Sequence, residues 1–227
     1  MSRVTDITII LDRSGSMRSI RDATVQGINA FIEDVNKVPG EGVWTLVQFD
    51  DPDSARGARE PFPHVVFENV SSIHVPRFEA ADFKPRGSTA LVDAVCLTVQ
   101  KVKTRVLAVP EEYRPKVMVV IMTDGMENAS REFTSAQLRE MLAEAQSAHG
   151  WEVLYLGANQ DAFAEAGKYG IAKAGNVYRF DATDSGTQGV LQAGAGKARN
   201  WKLEGNDSAA GLMGSASPDD PSKAAAP

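Results

Sequence analysis

One cysteine in 227 residues is the first scarcity in this sequence. Cys96 alone excludes an internal disulfide framework and a multi-thiolate zinc site, and on its helix it reads as a small core residue. Histidine is nearly as rare: His64, His74 and His149 stand at no ligand spacing and read as structural or surface residues. No apolar run approaches the ~20 residues that a membrane-spanning helix needs. A basic excess is also missing. Lys+Arg 24 against Asp+Glu 30 gives a net charge of −6, which argues against a nucleic-acid binder working through a basic surface. The start, MSRVTDITIILD, enters a strand-like segment with no apolar leader region, and the lone thiol suits a reducing compartment, so a cytoplasmic protein is expected. No GxxxxGK[ST] run offers a nucleotide site.

What is present is ordinary globular material, 43% hydrophobic and 24% charged. The length suits a single domain over 1–204 (its clearest part 4–181) followed by an Ala/Ser/Pro/Asp-rich flexible tail over 205–227. Val4–Leu11, Val43–Phe49, Lys116–Met122, Trp151–Leu156 and Asn176–Phe180 are short, apolar and rich in β-branched residues, and read as strands. His64–Val70 reads as an edge strand paired as a hairpin. Between them, Ser19–Lys37 carries Ile28, Phe31, Ile32 and Val35 at helical spacing, and Leu91, Val95, Val99, Val102 and Val106 mark a second helix. Thr134 with Gln137 predicts a capping box for a third helix that Gly150 ends, and Asp161–Tyr169 a short one. After Asp181 the glycines at 186, 189, 194 and 196 weaken any helix. Trp44 and Trp151 fall in strands and read as core, whereas Trp201 lies beyond the clear pattern. Helices alternating with apolar strands predict an α/β fold: a doubly wound, mostly parallel sheet with helices on both faces and one antiparallel edge strand.

In such a sheet, ligands sit beyond the carboxyl ends of the strands, where the strand order reverses. The residues there are oxygen-rich. Asp12-Arg13-Ser14-Gly15-Ser16 follows the first strand, Gly87-Ser88-Thr89 precedes the second helix, and Thr123-Asp124-Gly125 follows the long apolar strand. Three hydroxyls and two carboxylates suit a hard divalent cation such as Mg²⁺, which takes oxygen ligands at about 2.0–2.1 Å and retains waters. Helix or turn capping by the serines and Asp124 is the plainer alternative.

At these residues the chain resembles the von Willebrand factor A domain family, over about 4–181. Asp12, Ser14 and Ser16 form its DxSxS motif, and Thr89 and Asp124 follow in the family's order, the first opening a helix and the second after a buried strand. The resemblance implies a Rossmann-like vWA fold with an intact metal-ion-dependent adhesion site holding Mg²⁺ or Mn²⁺. In it Ser14, Ser16 and Thr89 contact the ion and Asp12 and Asp124 act mostly through water. The implied function is non-enzymatic: the ion bridges to an Asp or Glu carboxylate of a partner protein. The compact form is similar to intracellular bacterial or phage members, some of which stand beside an AAA+ ATPase. No nucleic-acid or membrane partner is expected, and the oligomeric state defaults to monomer.

Two other readings stand beside this one. A Mg²⁺-dependent phosphohydrolase like the haloacid dehalogenases also carries an Asp after its first strand. It normally has a second Asp two residues on, and here that position is Ser14. The third reading is an accessory protein whose metal is purely structural. Around the site, Arg13, Arg86 and Met126 are expected on the rim, the arginines attracting an acidic group of a partner or simply standing in solvent. Glu127 and Asn128 read as loop residues rather than as supports of the ligands. Asp50, Asp51 and Asp53 read as a turn rather than as a second ion site.

Overall fold

Thr5–Asp12 forms the first strand, β1, and is buried at every position. A strand covered on both faces by helices favours apolar residues on both, which is why Ile9, Ile10 and Leu11 run without alternation. In the computed structural model, residues 4–51, 61–158, 161–173 and 175–210 are described. Their elements are β1, α1 (Arg21–Asn36), β2 (Gly42–Phe49), β3 (His64–Ser71), α2 (Leu91–Leu107), β4 (Lys116–Thr123), α3 (Ser135–His149), β5 (Glu152–Ala158), α4 (Ala162–Lys168), β6 (Val177–Phe180) and α5 (Asp184–Ala210). The strands make one six-stranded sheet in the order β3-β2-β1-β4-β5-β6. All neighbours are parallel except β2 and β3, so the expected doubly wound sheet with an antiparallel edge is what the chain forms. The order reverses between β1 and β4, which pair from Thr5 with Lys116 to Leu11 with Met122.

Successive β1 side chains alternate between two cores. Ile7, Ile9 and Leu11 join Phe31 of α1 and Leu191, Ala195 and Trp201 of α5 on one face. Ile10 joins Val95 and Val99 of α2, Leu138 and Leu142 of α3 and Tyr169 after α4 on the other. On this second face Asp6 is buried and accepts from Arg105 Nη2 of α2 at 2.7 Å. Among the described residues no helix is long and apolar enough to cross a membrane.

Three local features follow sequence chemistry closely. Thr134 and Gln137 form the expected capping box of α3, and Gly150 ends it in a left-handed conformation at φ 65°. The helix expected over 19–37 begins earlier, as a 3₁₀ segment at Gly15–Ile20 that buries Met17 and Ile20 before α1 starts. The 72–90 connection has little regular structure, yet its Phe78 and Phe83 are buried in the α1 core. Side chains hold its backbone. Asn29 donates to Phe78 O at 2.8 Å and accepts from Phe78 N at 2.9 Å. Arg21 donates to Phe83 O at 2.9 Å and also to Ala80 O. Gln48 Nε2 donates to Asp82 O at 3.1 Å.

The principal departure from the sequence reading is α5, which runs for 27 residues through the glycine-rich stretch. Each glycine costs a helix about 1 kcal/mol relative to alanine. Burying a large apolar side chain contributes roughly 1.5–3 kcal/mol, and Val190, Leu191 and Trp201 are all buried. Some of the small residues also permit the contact: a methyl on Gly27 of α1 would lie 2.4 Å from Leu191 Cδ1, and one on Gly194 would reach 3.4 Å from Phe31 and Leu154. Tertiary packing therefore overrides local propensity, and Trp201 becomes core. Its ring also lies 4.6 Å from Lys116 Nζ, which donates to Trp201 O at 2.7 Å. Residues 211–227, most of the expected tail, lie outside the described residues.

If α5 is an integral layer, Trp201→Ala should lower unfolding free energy by about 3–5 kcal/mol in urea titration, the usual cost of emptying a large aromatic site. A loss below about 1 kcal/mol, the level of an ordinary surface change, would show that α5 is dispensable.

Candidate functional site

Because β1 and β4 are neighbours, their carboxyl ends deliver Asp12 and Thr123-Asp124 side by side. Asp12 is fully buried, and Ser14, Thr89 and Asp124 are nearly so, while Ser16 is exposed. Asp12 Oδ1 accepts from Ser14 N at 2.6 Å, and its Oδ2 accepts from Thr123 Oγ1 at 2.6 Å. Ser14 Oγ and Ser16 Oγ are 3.0 Å apart, and Ser16 Oγ donates to Asp124 Oδ1 at 2.6 Å. The five residues singled out in sequence thus gather at one point, with Thr89 entering from the start of α2.

Gly125 shows what the cluster surrounds. A methyl group built on its Cα would lie 2.9 Å from Thr89 Oγ1, 3.6 Å from Asp12 Oδ2 and 3.8 Å from Ser14 Oγ. Oxygens from the first and second loops therefore face one small cradle beside the third, left open because residue 125 has no side chain. Among the described residues, no group of three or more His, Cys, Asp and Glu is placed to hold a metal. The donors here are mainly hydroxyls, a set that fits a hard oxygen-seeking cation and no soft one.

The electrostatics point the same way. Burial pushes the Asp12 carboxyl up to about 7, against the hydrogen bonds from Thr123 and Ser14, and the nearby Asp124 adds to the rise. Burial also raises Asp124, opposed by Ser16. Two buried carboxyls facing one cradle favour any positive charge placed between them.

The other sequence candidates separate. Met126 is exposed beside the site, as expected of a rim residue. Arg13 is not on the rim: it is buried, its Nε 3.2 Å from Asp50 Oδ2. Arg86 Nε donates to the same oxygen at 2.7 Å. Asp50 is buried between the two, so it is neither a solvent turn nor an ion site, and it braces the loops instead. Asp53 lies outside the described residues. Backbone bonds complete the brace: Arg86 N to Arg13 O at 2.8 Å, Gly15 N to Gly87 O at 3.0 Å and Ala90 N to Asp50 O at 3.2 Å. Of the histidines, His149 lies 6.3 Å from the Trp151 ring, on the end of α3. Thr123 was overlooked in the sequence although it stands inside the Thr-Asp-Gly triplet. Its position at the end of a long apolar strand, directly before Asp124, was the available signal.

Comparison with known proteins agrees with the fold. The profile of the von Willebrand factor type A domain matches residues 6–193, and the chain belongs to that family. No curated protein matches the chain. Among solved structures it is similar to a von Willebrand factor type A protein from Catenulispora acidiphila, at 14% identity and TM-score 0.59, over 87% of this chain and 43% of that one. It is similar to the pilus adhesin SpaC of Lactobacillus rhamnosus GG in its open conformation, at 15% identity and TM-score 0.58, over 87% of this chain and 30% of that one. It is also similar to the manganese-loaded TRAP protein of Plasmodium vivax, at 14% identity and TM-score 0.52, over 84% of this chain and 72% of that one. The chain thus spans less than half the length of the first two. At these identities the likeness shows the fold.

The raised carboxyl of Asp12 sets a pH dependence of the metal-free protein. Between the ordinary value near 3.8 and the folded value near 7, the folded state holds a proton that the unfolded state has lost. The stability Asp12 contributes is therefore full at low pH and is lost as pH rises through 7. In EDTA, the melting temperature of wild type relative to Asp12→Asn should fall from pH 5 to pH 7.5. A difference that stays flat across that range would show that Asp12 titrates normally.

Proposed function

We propose that this chain is a non-enzymatic binding module whose three loops hold Mg²⁺ or Mn²⁺. Ser14, Ser16 and Thr89 would supply hydroxyl oxygens, and Asp12 and Asp124 would balance the charge. When bound, the ion supplies a Lewis-acidic position that accepts an Asp or Glu carboxylate of a partner protein. The observation that carries this reading is the cradle at Gly125, where oxygens from Asp12, Ser14 and Thr89 face one point. Membership of the von Willebrand factor type A family supports it, as does the manganese carried by the TRAP relative.

Phosphoryl chemistry fits the site less well. The residue two after Asp12 is Ser14, whose hydroxyl sits 3.0 Å from Ser16 Oγ. A serine hydroxyl does not protonate a leaving group near neutral pH. Asp124 is taken up by Ser16 rather than aimed past Asp12 as a proton donor.

The test is calorimetry and thermal melting with Mg²⁺, Mn²⁺ and EDTA. A cation at 100 times its Kd should add about 2.7 kcal/mol to wild-type stability. Gly125→Ala, which puts a methyl 2.9 Å from Thr89 Oγ1, should abolish this gain while the circular dichroism spectrum is kept. Capture of a partner from lysate of the source cells should succeed with Mg²⁺ and fail with EDTA. Capture that survives EDTA would move the interface away from these loops. Wild type that shows no cation response would remove the metal altogether.

A further inference from the structure

Helix α2 begins beside the cradle, immediately after Thr89 and Ala90, and its first turn lacks the usual local cap. Ala90 stands at the N-cap and has no side chain to accept from the first-turn amides. A helix start leaves several N–H groups without intrahelical partners, and burying them unpaired is costly. Here the acceptors come from another part of the chain, the loop between β4 and α3. Val92 N donates to Glu127 Oε2 at 2.8 Å and Asp93 N to Ser130 Oγ at 3.0 Å. One step earlier, Thr89 N donates to Asn128 Oδ1 at 2.9 Å.

The arrangement is reciprocal. Thr89 O accepts from Asn128 N at 3.1 Å and from Ala129 N at 3.2 Å. The Asp93 carboxylate accepts from Arg131 N at 2.6 Å and from Phe133 N at 2.8 Å. Glu127 Oε1 accepts from Ala129 N and Ser130 N at 2.9 and 2.8 Å, while its Oε2 also takes the Ser130 hydroxyl at 2.7 Å. Glu127 therefore folds its own loop and caps the facing helix with one carboxylate, placed where the helix dipole favours negative charge.

This clamp has a specific geometric consequence. Thr89 and Asp124 are 35 positions apart in sequence and belong to different loops of the site. Glu127 and Asn128 join these loops within four residues of each. We infer that Glu127 and Asn128 are positioning residues that fix Thr89 Oγ1 relative to Asp12 and Asp124, so that the cation meets a preformed set of oxygens. This rests on the metal-binding reading above and goes beyond it by naming what sets the affinity.

The test is Mn²⁺ affinity by calorimetry at a temperature well below melting, for wild type, Asn128→Ala, Glu127→Ala and Trp201→Ala. Groups that orient metal ligands typically govern affinity by about 10–100-fold. Asn128→Ala and Glu127→Ala should weaken Mn²⁺ binding to that degree, whereas Trp201→Ala should lower the melting temperature and leave the Mn²⁺ constant within about twofold. Lowered melting with an unchanged Mn²⁺ constant in both loop variants would overturn the inference and leave the clamp a purely structural cap. If Glu127→Ala does not fold, Asn128→Ala decides, since it removes only one side-chain acceptor at Thr89. Absence of Mn²⁺ binding in wild type itself would overturn the metal reading and this inference together, an outcome visible before any variant is compared.

Discussion

The carboxyl edge of this sheet depends on one pairing, the parallel contact of β1 with β4 at the point where strand order reverses. It brings two carboxyl groups, Asp12 and Asp124, out of water and toward each other. Burial of like charges is unfavourable unless something compensates. Thr123, Ser14 and Ser16 compensate in part by donating to the two acids. Burial outweighs these bonds and still pushes Asp12 up to about 7. Such an arrangement leaves unbalanced negative charge at the carboxyl edge of the sheet.

The remaining structure divides the work between the two faces. On one side, α1 and α5 pack closely over the sheet through glycines and large apolar groups, a contact with no obvious link to chemistry. On the other, α2 and α3 carry the loops that approach the cradle, and they are tied together at their starts rather than along their lengths. The site thus sits at the end of a buried sheet, with side-chain caps tying two of its loops together. Asp50, buried between Arg13 and Arg86, plays a similar part for the first loop.

Most of the sheet was legible in the sequence because its strands are apolar on both faces and its turns are marked. Asp12, Ser14, Ser16 and Asp124 were legible for a related reason, since polar residues at the ends of buried strands emerge at the carboxyl edge, whereas Thr89 was marked by the Gly-Ser-Thr that opens a helix. What escaped were features made by contacts distant in sequence. Helix α5 was obscured by Gly186, Gly189, Gly194 and Gly196, whose local cost says nothing of the α1 face that repays it. Arg13 and Asp50 read as surface groups because their pairing across two loops leaves no sequence spacing. Glu127 and Asn128 read as loop residues for the same reason, since the helix they cap starts 35 and more positions upstream.

The stretch from 72 to 90 combines two properties that rarely go together. Its irregular backbone and its length are those of a segment that proteases cut, yet Phe78 and Phe83 are sunk in the core and Asn29, Arg21 and Gln48 hold its carbonyls and one of its amides. Cleavage requires the residues around the cut to detach and extend in the enzyme, and near Phe78 or Phe83 that would mean drawing a ring out of the α1 layer. A cut beside either ring therefore waits on that ring leaving the core, even though most other residues of the connection are open to solvent.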